Sequence, residues 1–461
     1  MREELTAPAM SETLSGPARR HVLSRGWGLY LLVVAVLVAF VPENKSQIVL
    51  VDLLNAAALI VFLGAVIVYR VPLRFYFPLP VLLIGVGSVF AVTNSYSPVV
   101  AFVALVKDLY LYLWFLALVA LLRPRGDSRG VRLAWMWMVV LTSLFVVVHT
   151  VSSGHFAPGD LFDRERGRTV GTFYNPNMFS DYLMMSIFIA LGFAEQIRWR
   201  LLVPFLVLIT LALLTTKSNG GLISLCVGLL AWALAWASAR GVSKVRLAGV
   251  LVLSLTVALL AGWLPGELGV EISLRRSGGV HGLAAAVSKS HQQRDRIWRR
   301  LESEWMKTPM GLGPEGSAGR SLPIGEADRT GDSNHFLSAE AHDDYLAYLV
   351  ERGPLGLAGL LLCTAQVFAM TLGSRRRLNR LLGGYRAGGA LWAAFIGALV
   401  GTSIHSLVGE KLHYRHFWMF MAILTAMTAE DASPDRETAA PVPRRATEAA
   451  GVAGAAPALR S

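Results

Sequence analysis

PVVAFVALVKDLYLYLWFLALVALLRPR, residues Pro98 to Arg125, is apolar throughout except for Lys107 and Asp108, and it ends on two arginines. At about 1.5 Å rise per residue, a helix of this length crosses a hydrocarbon layer of roughly 30 Å. No water reaches the backbone there, so the stretch must satisfy its own N–H and C=O groups as a helix. Comparable apolar runs lie near 23–41, 48–69, 75–93, 98–122, 133–151, 175–194, 199–214, 221–239, 245–264, 345–372, 387–407 and 412–429. The expected fold class is therefore all-α: a polytopic membrane helical bundle of about 12 transmembrane helices.

Composition agrees. Of 461 residues, 54% are hydrophobic and only 16% charged, with a mean hydropathy of +0.51, which is not a soluble composition. The net charge of +12 sits in short arginine clusters between apolar runs, without the aromatic-interleaved basic face of a nucleic-acid groove, so no nucleic-acid partner is expected. Cys226 and Cys363 both fall inside apolar runs, which excludes a disulfide in an exported loop and makes redox chemistry a poor reading. Arg19, Arg20 and Arg25 precede the first run, and Pro42-Glu43-Asn44-Lys45 after it lacks a small-x-small cleavage pattern, so the run reads as a retained anchor.

Arginine-rich connections alternate with poorer ones, among them the turn near Glu410. The rich set carries Arg70 and Arg74, Arg123 to Arg132, Arg198 and Arg200, Arg240 to Arg246, and Arg375 to Arg386. Because short cytoplasmic loops retain positive charge, these face the cytoplasm, both termini are cytoplasmic, and the location is a bacterial inner (plasma) membrane. The expected organisation is a disordered cytoplasmic N-terminus (1–20), helices 1–9 (21–264), a large extracytoplasmic loop carrying the chemistry (265–344), helices 10–12 (345–429) and a disordered cytoplasmic tail (430–461). The loop of about eighty residues is far longer than an ordinary connection, and such loops carry function or are disordered.

The polar residues that invite chemistry gather on the outer side. Within Arg294-Asp295-Arg296-Ile297-Trp298-Arg299-Arg300-Leu301-Glu302-Ser303-Glu304-Trp305, helical spacing puts Ile297, Trp298, Leu301 and Trp305 on one face. That is either an interfacial helix holding anionic lipid or a diphosphate clamp. Pro309 to Gly316 is turn-rich, with glycines that let backbone amides approach a ligand. Glu340-Ala341-His342-Asp343-Asp344-Tyr345 opens the tenth run; Asp343 and Asp344 read as helix-capping carboxylates, whereas His342 suits a general base near neutral pH. Adjacent side chains on a helix diverge by about 100°, which argues against one cation held by this cluster. His405, His413 and His416 lack the third ligand of a transition-metal site and read as ordinary helix-end histidines. Lys217, in Thr215 to Gly220, can meet phosphate or snorkel to the interface. Lys107 and Asp108 point to different sides of their helix, so each needs its own partner, protein or substrate.

Taken in chain order, four segments resemble the O-antigen ligase and O-antigen polymerase family of bacterial surface-glycan enzymes. Arg168-Thr169-Val170-Gly171-Thr172-Phe173-Tyr174-Asn175-Pro176-Asn177 is similar to the family segment ending in Asn-Pro-Asn. Thr216-Lys217-Ser218-Asn219-Gly220 stands where the family has its Ser-Arg-Gly turn. Arg294 to Trp298 with Pro309 to Gly313 resembles Arg-x-x-x-Trp and Pro-x-x-Gly-x-Gly. Ala341-His342-Asp343-Asp344-Tyr345 with Glu351-Arg352-Gly353-Pro354-Leu355-Gly356 resembles Ala-His-Asn-x-Tyr and Glu-x-Gly-x-x-Gly. The resemblance covers about 168–356.

It implies a GT-C-like fold and a metal-independent, inverting glycosyltransferase without a cofactor. Such an enzyme moves a glycan from an undecaprenyl-diphosphate carrier to an acceptor hydroxyl on a lipid or growing sugar chain, among membrane lipids. His342 and Arg294 are the expected catalytic residues. Lys217, Arg168 and Arg296 would help hold the diphosphate, with Asn177, Asp343 and Glu351 as further substrate-binding positions. Two departures stand out: the family arginine is Asn219 here, so that either Lys217 supplies its charge or the role is lost, and the family asparagine is Asp343, expected either to alter acceptor binding or to raise the pKa of His342. The rival readings are a polyprenyl-linked glycan flippase, which needs charges lining a path through the spans, here read as nearly clean; a relative of the cell-shape and division polymerases using a loop carboxylate such as Glu267, Glu271 or Asp295; and a non-enzymatic assembly scaffold.

Overall fold

The computed structural model describes residues 17–40, 50–69, 73–123, 129–152, 163–164, 168–242, 249, 294–295, 297–317 and 341–429. Arg296, Glu340, Glu267, Glu271, the expected span at 245–264, most of the long loop and the tail lie outside these. Helices occupy the other eleven expected runs: α1 Pro17–Leu37, α2 Leu50–Tyr69, α3 Pro78–Val92, α4 Pro98–Leu122, α5 Arg129–Val151, α6 Pro176–Gly192, α7 Trp199–Thr215 and α8 Asn219–Ala239 come first. A helix over 297–307, called α9, follows, then α10 Asp344–Gly373, the short α11 Arg375–Leu381, α12 Tyr385–His405 and α13 Arg415–Thr428. Before α6, Asp163–Arg164 pairs antiparallel with Arg168–Thr169 in a two-residue ladder. Six helices (α2, α4, α5, α8, α10 and α12) are long and apolar enough to span a bilayer. The protein is an all-α membrane protein.

The bundle is built around α6, α12 and α13. Apart from Asn177, every residue of α6 is buried, while α2 turns Ile60, Val61, Ile67 and Val68 outward at 60% exposure or more, as a lipid-facing helix should. Small residues bring α12 against α8: a Cβ on Gly397 would lie 2.8 Å from the Gly228 carbonyl oxygen, and one on Gly401 3.0 Å from that of Ser224. Without a hydrophobic drive between helices in lipid, such close backbone approach is what packs them.

At one end of the bundle arginines cap helix C-termini, where carbonyls lack partners. Arg375 donates to Ala239 O at 2.7 Å, Arg377 to Met427 O at 3.1 Å and Arg123 to Ala429 O at 3.3 Å. These are the arginine-rich connections of the sequence. At the opposite end the segments that resemble the glycan enzymes come together.

The spans are less clean than the sequence reading holds. Arg415 grips Asp52 with two bonds, Nε to Oδ1 at 2.6 Å and Nη2 to Oδ2 at 2.5 Å. Arg352 pairs with Asp108 at 2.6 Å, and Lys107 reaches Glu315 at 3.1 Å. Lys107 and Asp108 do have separate partners, both in the protein. Charges inside the bundle thus meet opposite charges from other helices or, for Lys107, from the 312–317 loop, as the cost of burying them demands.

Candidate active site

The first two resembling segments meet at Asn177. Asn175 caps α6, its side chain accepting from Asn177 N at 2.8 Å. The Asn177 side-chain oxygen then accepts from Arg168 Nη2 at 3.0 Å and from Ser218 Oγ at 2.9 Å. Arg168 Nε donates to Thr216 O at 3.1 Å, and Thr169 and Thr215 share a hydroxyl contact of 2.5 Å. Arg168 and Asn177 therefore clasp the 215–218 turn from below. Ser218 caps α8 by accepting from Gly221 N, and Lys217 stands exposed with φ +49°. That left-handed conformation is costly for a side-chain-bearing residue, and strain of this kind clusters at functional sites.

The third and fourth segments form a single joint. Leu312 N donates to Val350 O at 2.9 Å and Gly313 N to Glu351 O at 3.0 Å. The Glu351 carboxylate, buried, accepts from Glu315 N at 3.1 Å and from Ser317 N and Oγ at 3.3 and 2.5 Å. Both of its oxygens are thereby engaged by the loop, so its visible work is to anchor 312–317. Two glycines make the crossing possible. A Cβ on Gly311 would lie 2.6 Å from Glu351 O, and one on Gly353 2.8 Å from Met310 O; both carry positive φ. Gly353 also breaks α10, with Pro354 restarting it.

α9 lays the expected face inward, but against protein. Ile297 and Leu301 are buried with Leu312, Ala341, Ala347 and Val350, and Trp298 and Trp305 pack on this cluster. Trp298 Nε1 donates to Ala341 O at 2.8 Å. The lipid-resting helix is corrected to a brace between the glycine loop and the start of α10, which leaves Arg299 and Arg300 exposed and Arg294 half-buried. Asp295, the carboxylate of the division-polymerase reading, is spent on Arg299 at 2.8 Å.

His342 sits just before α10 with φ +49°; its backbone N–H donates to Glu410 Oε1 at 3.0 Å. Asp343 caps α10 by accepting from Tyr345 N and Leu346 N at 2.8 and 3.0 Å, the role read from sequence. An asparagine caps equally well, so the exchange of the family asparagine for Asp343 preserves the cap. Burial pushes the Asp343 carboxyl up, opposed by those two amides and by Arg294. Burial likewise lowers Arg294, opposed by Asp343.

The keystone is the 406–411 loop between α12 and α13, which sequence reasoning treats as a turn. Arg294 Nη2 donates to Val408 O at 3.4 Å. Asp344 N donates to Ser406 O at 2.8 Å, and its carboxylate accepts from Lys411 N at 3.1 Å. Glu410 holds His342, and a Cβ on Gly220 would meet Val408 Cγ2 at 2.5 Å. Lys217's turn, Arg294 and His342 are thus brought to one loop at one end of the bundle. Beneath it lies a buried cluster also missed: Asp181 Oδ2 stands 3.2 Å from His416 Nε2, and Asp181 Oδ1 3.4 Å from His405 Nδ1 and 3.8 Å from Lys411 Nζ. His405 and His416 do stand at helix ends, the last residue of α12 and the second of α13, and both are wholly buried. The available signal was Asp181 itself, an ionisable residue inside an apolar run, which requires a partner. Among the described residues no group of three or more His, Cys, Asp or Glu is arranged to hold a metal ion.

A search of curated proteins returns no match to this chain. Residues 204–361 match the family model described as O-antigen ligase. That region, about a third of the chain, holds the Lys217 turn, Arg294, the glycine loop, His342 and Glu351, and the match supports the resemblance to the O-antigen ligase and polymerase family of polysaccharide biosynthesis that the sequence motifs carry.

Proposed function

We propose that this protein is an inverting glycosyltransferase that moves a glycan from an undecaprenyl-diphosphate carrier to an acceptor hydroxyl at the outer face of a bacterial inner membrane. On this reading both termini are cytoplasmic and the fold is a GT-C-like bundle of about 12 spans. The family match supports a membrane protein that ligates or polymerises glycans. The observation that carries the finer reading is the convergence of Arg294, His342 and the Lys217 turn on the 406–411 loop.

A diphosphate is already a good leaving group, so the protein has mainly to neutralise its growing negative charge and orient the acceptor. Arg294 and Lys217 neutralise it, each from a segment that meets the loop at Val408. Arg168 holds the Lys217 turn, and Arg296 adds charge from the same segment as Arg294. His342 takes the acceptor proton as the hydroxyl oxygen attacks the anomeric carbon and the bond to the diphosphate oxygen breaks from the opposite face. Glu351 and Asn177 act by holding the loop and the turn. We propose no metal or other cofactor: the cationic side chains carry the charge that a metal would otherwise take.

The test is a deletion strain complemented with wild type, His342→Ala or Arg294→Ala, each checked for membrane expression, with carrier-linked and surface glycan analysed. Mature glycan accumulating on its carrier at the outer face in both variants supports the transferase; normal surface glycan in both overturns it.

A further inference from the structure

We propose that Asp181, His405 and Lys411 are positioning residues that set the gap between Arg294 and the Lys217 turn, and so the fit of the site to a diphosphate. This rests on the transferase reading above.

The His405 ring is the wedge. A Cβ on Gly220, next to the Lys217 turn, would lie 3.9 Å from its Cδ2, and one on Gly409, in the loop that holds Arg294, 3.3 Å from its Cε1. The ring therefore fills the space that a side chain on either arm would need, while its Nδ1 faces Asp181 Oδ1 at 3.4 Å. The two atoms face each other without an aligned hydrogen bond, so the contact is electrostatic and keeps the polar edge of the ring toward the buried carboxylate. Asp181 in turn is one helical turn past Asn177, the residue that clasps the Lys217 turn. Lys411 fixes the other end of the loop. Its ammonium approaches Asp181 and donates to Thr402 O, and its backbone N–H donates to Asp344. Asp181 thus ties the turn, the wedge and the loop's end to one buried carboxylate, which contacts none of the groups that would reach the diphosphate.

The proposal separates a directional role from simple space filling. His405→Phe keeps the ring and loses the polar edge facing Asp181; His405→Asn keeps a polar group near the Nδ1 position and loses volume. Full-length protein in nanodiscs of phosphatidylethanolamine and phosphatidylglycerol is assayed for binding of radiolabelled undecaprenyl diphosphate, with thermal melting in parallel and Arg294→Ala alongside. Expected are at least tenfold weaker binding for His405→Phe and binding within threefold of wild type for His405→Asn. Wild-type binding by His405→Phe, or loss in His405→Asn alone, overturns the proposal. If both variants melt far below wild type, Lys411→Met and Lys411→Arg decide: weakening confined to Met supports it, and equal behaviour of the two overturns it. Wild-type binding by Arg294→Ala defeats the diphosphate reading itself, whereas weak binding there with intact His405→Phe defeats the positioning role alone.

Discussion

Gly220 and Val408 approach so closely that a methyl group on residue 220 would lie 2.5 Å from Val408 Cγ2. Valine is stiff about χ1, so the added methyl of Gly220→Ala pushes the Lys217 turn and the Arg294 loop apart. The expected result is at least a fivefold fall in glycan transfer with normal membrane expression. Adding Val408→Ala makes room and should recover most of it. A double variant no better than the single places the defect elsewhere; the readout is the ratio of carrier-linked to surface glycan.

His342 combines a strained backbone with the proposed base, and the two are separable. Asparagine tolerates the left-handed region far better than alanine, for which it costs about 1–2 kcal/mol. His342→Asn should therefore melt like wild type and transfer no glycan, while His342→Ala loses both activity and some stability. Glu410→Ala, which frees the His342 amide, should lower transfer at least tenfold with the imidazole still present. Transfer by His342→Asn near the wild-type level would remove the base from the mechanism.

Glu351 is the anchor of the 312–317 loop. Glu351→Ala strands two loop amides and a hydroxyl, and an unsatisfied buried partner costs about 1–3 kcal/mol. The expected outcome is lower thermal stability and faster protease cleavage within 309–317, with transfer reduced as a consequence. Unchanged cleavage would show the loop held by the glycine crossing alone.

Asp343 gives a pH dependence. Its folded-state pKa is raised by burial, so the neutral form is the better accommodated one and the folded protein gains stability as pH falls through that raised value. Asp343→Asn keeps the cap without the charge. Its melting temperature should equal or exceed wild type at pH 7, and the difference should shrink as pH falls through the raised pKa. A difference that grows on acidification would contradict the shift.

The ion pair of Arg352 with Asp108, 2% and 21% exposed at 2.6 Å, predicts strong coupling. Removing one partner of a buried pair costs about 3–5 kcal/mol. Arg352→Met and Asp108→Leu should each destabilise the protein markedly in thermal melting, and the double variant less than the sum of the two.

The helices were legible because hydropathy reports directly on what a bilayer demands: the eleven expected runs that can be compared are helical nearly to their ends. Lys107 and Asp108 were legible in the same way, since neighbours on a helix cannot share a partner. Asp343 was readable as a cap from its position alone. The cluster of Asp181, His405, Lys411 and His416 was not, because its members are scattered over more than two hundred positions and meet only when α6, α12 and α13 pack. Glu410 looked like a turn residue because nothing local shows that a distant amide comes to it. The cover of the apolar face of α9 was not legible for a related reason: apolar spacing tells that a face is covered, not whether lipid or protein covers it.

At the crossing of Gly311 with Gly353 a surface loop meets a membrane helix main chain to main chain. Side-chain contacts can slide, but two backbones at this distance turn together, like a handle fixed to a shaft. Helices tilt to match the thickness of the lipid around them, so the part of α10 outside Gly353 passes its inclination to the loop above it. Membrane thickness thereby becomes an input to the geometry of the loop at this end of the bundle.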